Sequence, residues 1–285
     1  MDYVDLLRDI AERNESIVCV GLDPIIERIP HEHHDIKEMI SDFYIEMLDE
    51  FVREGSLPGA VKPNYAFYAQ YGFDGLKALE KIIKKSRKLS IPVIFDGKRG
   101  DIGKTSSAYA KEAFDFWEAD SLTVAPYMGA DSVGPFIKEC ETRGKGIYIL
   151  NRTSNKGAAE IQNLKVDGKE LYMKVAEKIV EWGNNAHGNV GAVVGATSLN
   201  ELETIVRFYS SQKNPVPLLI PGVGAQGGSA KEVTDSLRKV KYDLGIVRIN
   251  SSSDINYAHE KSHDVNFAKA SAKALEKLNK EIGFK

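Results

Sequence analysis

Eight short apolar runs alternate along this chain with amphipathic segments of helical length, and that alternation limits the available folds more than any other feature. The runs are SIVCVGLD, GAVKPN, IPVIFD, SLTVAP, GIYILN, VGAVVGA, PLLIPGV and LGIVRIN, each bounded by glycine, proline, asparagine or aspartate. Between them lie segments such as FDGLKALEKIIKKSRKL, SSAYAKEAFDFWEA, ELYMKVAEKIVEWGNNA and SLNELETIVRFYS. A strand, a helix and a second parallel strand connect right-handed, so strict alternation builds a parallel sheet. Eight such units in 285 residues predict an α/β fold, a single (β/α)8 barrel of the TIM type, with a doubly wound open sheet as the alternative. No low-complexity linker, charge block or composition shift divides the chain, so residues 1–285 are expected to form one catalytic domain.

The balance of charge narrows the partners. A net charge of -3 gives no global basic field for nucleic acid or a lipid surface, so an anionic ligand has to be gripped locally. Cys19 and Cys140 are far apart and have no zinc spacing, which predicts two reduced structural thiols. The opening MDYVDLLRDIAERN lacks the basic start and apolar stretch of a secretory signal, and a cytoplasmic protein is expected. The polar stretch 151–168, NRTSNKGAAEIQNLKVDG, predicts a mobile loop over a site.

In a barrel of this kind the active site lies where strands give way to loops at their C-terminal ends. These strands end in Asp23, in Lys62 with Asn64, in Asp96 with Lys98, in Pro126, in Thr153 and Ser154, in Thr197, in Pro221 and Gly222, and in Asn250 with Ser251. Taken singly, Asp23 before Pro24 starts a turn as readily as it binds, and Asn64 and Thr197 equally suit helix caps. The densest cluster is IPVIFDGKRGDIGKT, residues 91–105, where an apolar strand runs into Asp96, Lys98, Asp101 and Thr105. Two carboxylates and an ammonium so close together perturb their pKa values, and such clusters concentrate at functional sites. The glycine-rich turn PGVGAQGGSA, residues 221–230, precedes a helix start and suits phosphate, with Gln226 and Gly227 in the turn itself. His31, Glu32, His33 and His34 lack metal-site geometry, so no metal is expected there; His187, His259 and His263 read as surface residues, and Phe67, Tyr68 and Tyr71 as helix packing.

With these motifs the chain resembles the orotidine 5'-phosphate decarboxylase family over nearly its whole length. The family's Asp-x-Lys-x-x-Asp-Ile-Gly-x-Thr motif stands here as DGKRGDIGKT, accompanied by GLDP at 21–24, VKPN at 61–64, VAPYMG at 124–129, RTSN at 152–155 and PGVGAQGG at 221–228, the last in the style of the longer bacterial branch. The resemblance implies a homodimeric barrel that removes CO2 from orotidine 5'-phosphate to give uridine 5'-phosphate in pyrimidine biosynthesis, with no metal or organic cofactor. It also implies that Lys62, Asp96, Lys98 and Asp101 form an alternating charge network, with Asp101 and Thr105 reaching into the partner's site. Asp23 would hold the ribose hydroxyls, Ser154 with Thr153 beside it would meet the pyrimidine, Pro221, Gly222, Gln226 and Gly227 would surround the phosphate, and Asn64 is a further expected substrate-binding residue. Lys98 is the expected proton donor, because an ammonium beside the carbon that loses CO2 stabilises the charge left there. One departure stands out: where this branch usually carries arginine after Asn-Ser-Ser, the chain reads NSSSD and has Ser253. Arg248, two residues before Asn250 on the same strand, is the expected substitute. Two alternatives remain: a phosphosugar aldolase using Lys62 or Lys98 as a Schiff base, and a noncatalytic nucleotide-binding homologue.

Overall fold

A computed structural model describes residues 1–30, 35–223, 228–262 and 266–284. The eight apolar runs form eight parallel strands, β1 Val18–Leu22, β2 Ala60–Pro63, β3 Ile94–Arg99, β4 Ser121–Val124, β5 Gly146–Arg152, β6 Val190–Val194, β7 Leu218–Ile220 and β8 Val247–Ser251. They pair in the order β2-β1-β8-β7-β6-β5-β4-β3. Bridges from Val61 to Val93 and from Asn64 to Asp96 join the two ends, so the sheet is a (β/α)8 barrel and the open-sheet alternative falls away. Strands β1, β2, β4 and β6 are buried at every position. That is the signature of strands covered by helices outside and by their own side chains inside.

The helices cover this barrel with the faces their periodicity dictates. Gly72–Lys88 buries Ala78, Leu79, Ile82 and Ile83 and turns its lysines outward. Ile36–Arg53 starts at Asp35, whose carboxylate accepts from the N–H groups of Lys37 and Glu38. Tyr68 is buried and its hydroxyl donates to the Leu22 carbonyl at 2.9 Å, so this part of the aromatic stripe is packing. Cys19 and Cys140 are free and fully buried, and burial pushes the Cys19 thiol up to about 12. His187 is exposed, but His259 is half-buried between the rings of Tyr257 and Phe267, which corrects its surface reading. The stretch 151–168 starts within β5 and carries a helix, Ala158–Gln162, and a short strand, Lys165–Val166, that pairs antiparallel with Lys169–Glu170 just beyond it. No helix among the described residues is long and apolar enough to cross a membrane.

The N-terminal end of the barrel is closed by helix Tyr3–Asn14 and by a buried polar plug. The Tyr3 hydroxyl donates to that of Tyr148 at 3.0 Å and accepts from Ser121 at 2.9 Å. Arg248 belongs to this plug. Its guanidinium is fully buried and donates to the carbonyls of Gly59, Gly245, Val247 and Leu7 at 2.7–3.0 Å. The expectation that Arg248 grips phosphate is therefore corrected. An even step along β8 keeps its side chain on the same face as Asn250, but two residues back it lies roughly 6–7 Å nearer the closed end. Burial lowers its pKa, while Tyr148 and Tyr3 act in the opposite direction. Replacing Arg248 with Met removes four hydrogen bonds to buried carbonyls, and a loss of about 3 kcal/mol or more is expected in denaturant unfolding. The folded fraction of that variant should bind phosphate-bearing ligands as the parent does.

Candidate active site

The open end of the barrel gathers the charged residues that the sequence singled out. Lys62 ends β2 and Asp96 lies within β3, and the Lys62 Nζ donates to Asp96 Oδ2 at 2.9 Å. Lys98, two residues on, donates from its own Nζ to Asp96 Oδ1 at 2.7 Å. The strand bends to allow this: pairing with β4 shifts register between Phe95 and Arg99, and Lys98 adopts φ +44°, a left-handed conformation costly for a residue with a Cβ. The three side chains differ in access. Lys62 and Asp96 side chains are each 7% exposed, whereas that of Lys98 is 50% exposed.

A fourth residue, missed in the sequence, holds two of these three. Thr123 on β4 donates from Oγ1 to Asp96 Oδ1 at 2.8 Å, and the same oxygen accepts the Lys98 N–H at 2.9 Å. One hydroxyl thus ties carboxylate, strand bend and lysine together. The signal was present in SLTV, where Ser121 and Thr123 put hydroxyls on alternate positions of an otherwise apolar run.

Burial alone would raise the Asp96 carboxyl, but the attraction of Lys62 and then Lys98 holds it well below the usual carboxylate range. Lys62 mirrors it: burial disfavours its charge, yet the Asp96 and Asp23 carboxylates raise it above the usual lysine range. The stability that Asp96 contributes is present above the ordinary carboxylate pKa and is lost as pH falls through the lowered one. That of Lys62 is present below the ordinary lysine pKa and is lost as pH rises through the raised one.

Around this network the other candidates take different places. Asp23, just past β1, has one carboxylate oxygen, Oδ1, buried without a hydrogen-bond partner. A side chain at Gly21 would strike Ser252 Oγ at 1.9 Å and crowd Asp23 Oδ2 at 3.3 Å, so glycine there lets these two polar groups approach. Asn64 caps helix Tyr65–Ala69, accepting the Ala66 N–H at 3.2 Å, and its backbone bridges to Asp96. Thr153 is clamped by Gln162, which accepts its N–H at 2.9 Å and donates to its hydroxyl at 2.8 Å. Ser154 packs so tightly on Gly195 that any Cβ there would lie within 3 Å of it. Pro221 accepts the Ala196 N–H at 2.9 Å, and Gly222 follows at φ +85° beside Ser154 and Thr197.

Asp101 and Thr105 stand apart. Among the described residues the Asp101 carboxylate takes only the adjacent Ile102 N–H, at 2.7 Å, and does not touch Lys62 or Lys98 of its own chain. Thr105 is exposed on the first turn of helix Gly103–Lys111. Gln226 and Gly227 lie outside the described residues, as do His31, Glu32, His33, His34 and His263. A cavity of about 500 Å³ opens at this rim, with Ser154, Thr197, Gly222, Asn250 and Ser252 in its walls. A larger one, about 670 Å³, lies at the closed end near Asn14, Gly55 and Phe284 and holds none of these residues.

The model of the orotidine 5'-phosphate decarboxylase / HUMPS family matches residues 16–264. The chain belongs to this family. It is 41% identical over 272 residues to orotidine 5'-phosphate decarboxylase of Cupriavidus metallidurans, covering 95% of this chain and 93% of that one. Identity to the Rhodopirellula baltica enzyme of the same name is 37% over 279 residues, covering 92% and 90%. Among solved structures, Leishmania donovani OMP decarboxylase superposes with a TM-score of 0.78 at 32% identity, covering 99% of both chains. Leishmania donovani UMP synthase superposes with a TM-score of 0.79 at 34% identity, and there this chain spans 56% of the longer one.

Because both buried partners keep their charge, the Asp96 carboxyl carbon should show no NMR titration between about pH 5 and pH 9. Lys62→Met should bring that titration up towards the ordinary carboxylate range and cost about 3–5 kcal/mol in unfolding free energy, as for a broken buried pair. An Asp96 resonance that titrates near neutrality in the parent protein would contradict the network.

Proposed function

We propose that this protein decarboxylates orotidine 5'-phosphate to uridine 5'-phosphate and CO2, as a cytoplasmic enzyme of pyrimidine biosynthesis. The observation that carries the reading is Lys98, a half-exposed ammonium held 2.7 Å from a carboxylate that stays ionised. A substrate carboxylate brought beside Asp96 meets like charge, and loss of neutral CO2 removes that repulsion. As the carbon–carbon bond breaks, its electron pair stays on the pyrimidine carbon, where Lys98 stabilises it and delivers a proton from Nζ. Lys62 and Thr123 hold Asp96 in place, and Lys62 keeps it charged. Asp23, with a buried carboxylate oxygen unpartnered, suits a ribose hydroxyl, and Ser154 and Thr153 suit the pyrimidine edge. Binding of the phosphate, remote from the reacting carbon, contributes to positioning.

The same reading makes the protein a homodimer with shared sites. Asp101 makes no contact with Lys62 or Lys98 of its own chain; Ile102, next to it, and Tyr127 and Met128, in the loop after β4, are 53%, 92% and 45% exposed. Exposed apolar side chains in the loops after β3 and β4, with a carboxylate that has no ionic partner among the described residues, fit a two-fold contact that carries Asp101 and Thr105 into the neighbouring site.

Metal-stripped protein should abolish the orotidine 5'-phosphate absorbance at the rate of untreated protein, and Lys98→Ala should remove turnover while leaving the protein folded. Restoration of lost activity by a divalent ion, or near-normal turnover in the lysine variant, would sink the mechanism. Mixing inactive Lys98→Ala and Asp101→Ala subunits under exchange tests the shared site. Random pairing makes about half the dimers hybrid, each with one sound site of two, so about a quarter of wild-type activity should return. Confirmed exchange with no recovery would confine Asp101 to its own chain.

A further inference from the structure

We infer that Lys261 supplies the cation that grips the substrate phosphate, moving to it from Asp254. This rests on the decarboxylase reading and names a residue that the motifs did not single out. The rim cavity has two basic residues in its walls, Arg28 and Lys261, and one acidic residue, Asp254. With Arg248 committed to the closed end of the barrel, Arg28 and Lys261 are the lysine and arginine side chains that the described walls offer a phosphate in this cavity.

Arg28 is already engaged on two sides. It donates to both carboxylate oxygens of Glu260 at 2.8 and 2.6 Å, and its guanidinium lies 3.9 Å from the centroid of the Tyr257 ring. Turning it to a ligand would break a bidentate pair and a cation–π contact together. Lys261 has a single ionic partner among the described residues, Asp254 Oδ1 at 2.5 Å, and its side chain is 66% exposed. An exposed pair of this kind contributes little to stability, and a four-carbon stem lets the ammonium swing without moving the backbone. A phosphate dianion in the cavity attracts that ammonium more strongly than a carboxylate does. The exposed Ser253 and half-buried Ser252 in the same wall add hydroxyl donors, so Lys261 provides the charge and the serines the shape.

The test compares uridine 5'-phosphate with uridine as inhibitors of orotidine 5'-phosphate turnover. Lys261→Ala should weaken uridine 5'-phosphate by about tenfold to a hundredfold and leave uridine unchanged, with KM for the substrate rising more than kcat falls. Lys261→Arg should stay within about threefold of wild type. Equal weakening of both inhibitors, or unaltered uridine 5'-phosphate binding in the alanine variant, would overturn the assignment. Wild-type protein that neither turns over orotidine 5'-phosphate nor binds uridine 5'-phosphate would overturn the decarboxylase reading itself.

Discussion

The Asp96 carboxylate is the group on which the open end of this barrel depends. A buried carboxylate is costly unless each oxygen is matched, and here Oδ2 meets Lys62 while Oδ1 meets both Lys98 and Thr123. Those partners come from three consecutive strands, so the charge network also fixes how β2, β3 and β4 sit against one another. The bend that brings Lys98 back over Asp96 would be unfavourable by itself. It persists because the Lys98 N–H, left without a regular ladder partner at the bend, is taken by the Thr123 hydroxyl.

The barrel separates its two kinds of buried charge by its ends. At the closed end the Arg248 guanidinium is fully buried and donates to four backbone carbonyls, out of reach of a ligand at the rim. At the open end Lys98 keeps half of its side chain accessible, and Asp23 keeps an oxygen unpartnered. Saturation at one end and incomplete pairing at the other distinguish a structural plug from a site able to take a substrate. Glycine at positions 21 and 195 serves the open end, where Asp23, Ser252 and Ser154 come closer than any side chain at those positions would allow.

The amino-acid sequence by itself determined the eight strands, their parallel connection and the rim that carries Asp23, Lys62, Asp96 and Lys98, because hydrophobic period and strand-ending residues are local properties. It also put Asp96 and Lys98 two residues apart at the end of one strand, although the bend at Lys98 rather than regular alternation brings the two side chains together. Only the tertiary structure decided what depends on distance between elements. Arg248 and Asn250 share a strand face, yet one serves the plug and the other the cavity, because depth along the barrel axis is set by how all eight strands stagger. Thr123 was legible as a polar residue in an apolar run, but its link to Asp96 exists only once β3 and β4 are paired. Lys261 sits in a four-residue helix with no motif around it, and enters the site because the chain after β8 folds back over the rim. Spacing in a sequence specifies neighbours on one element; which elements meet, and how deep a side chain lies where they do, is settled by packing.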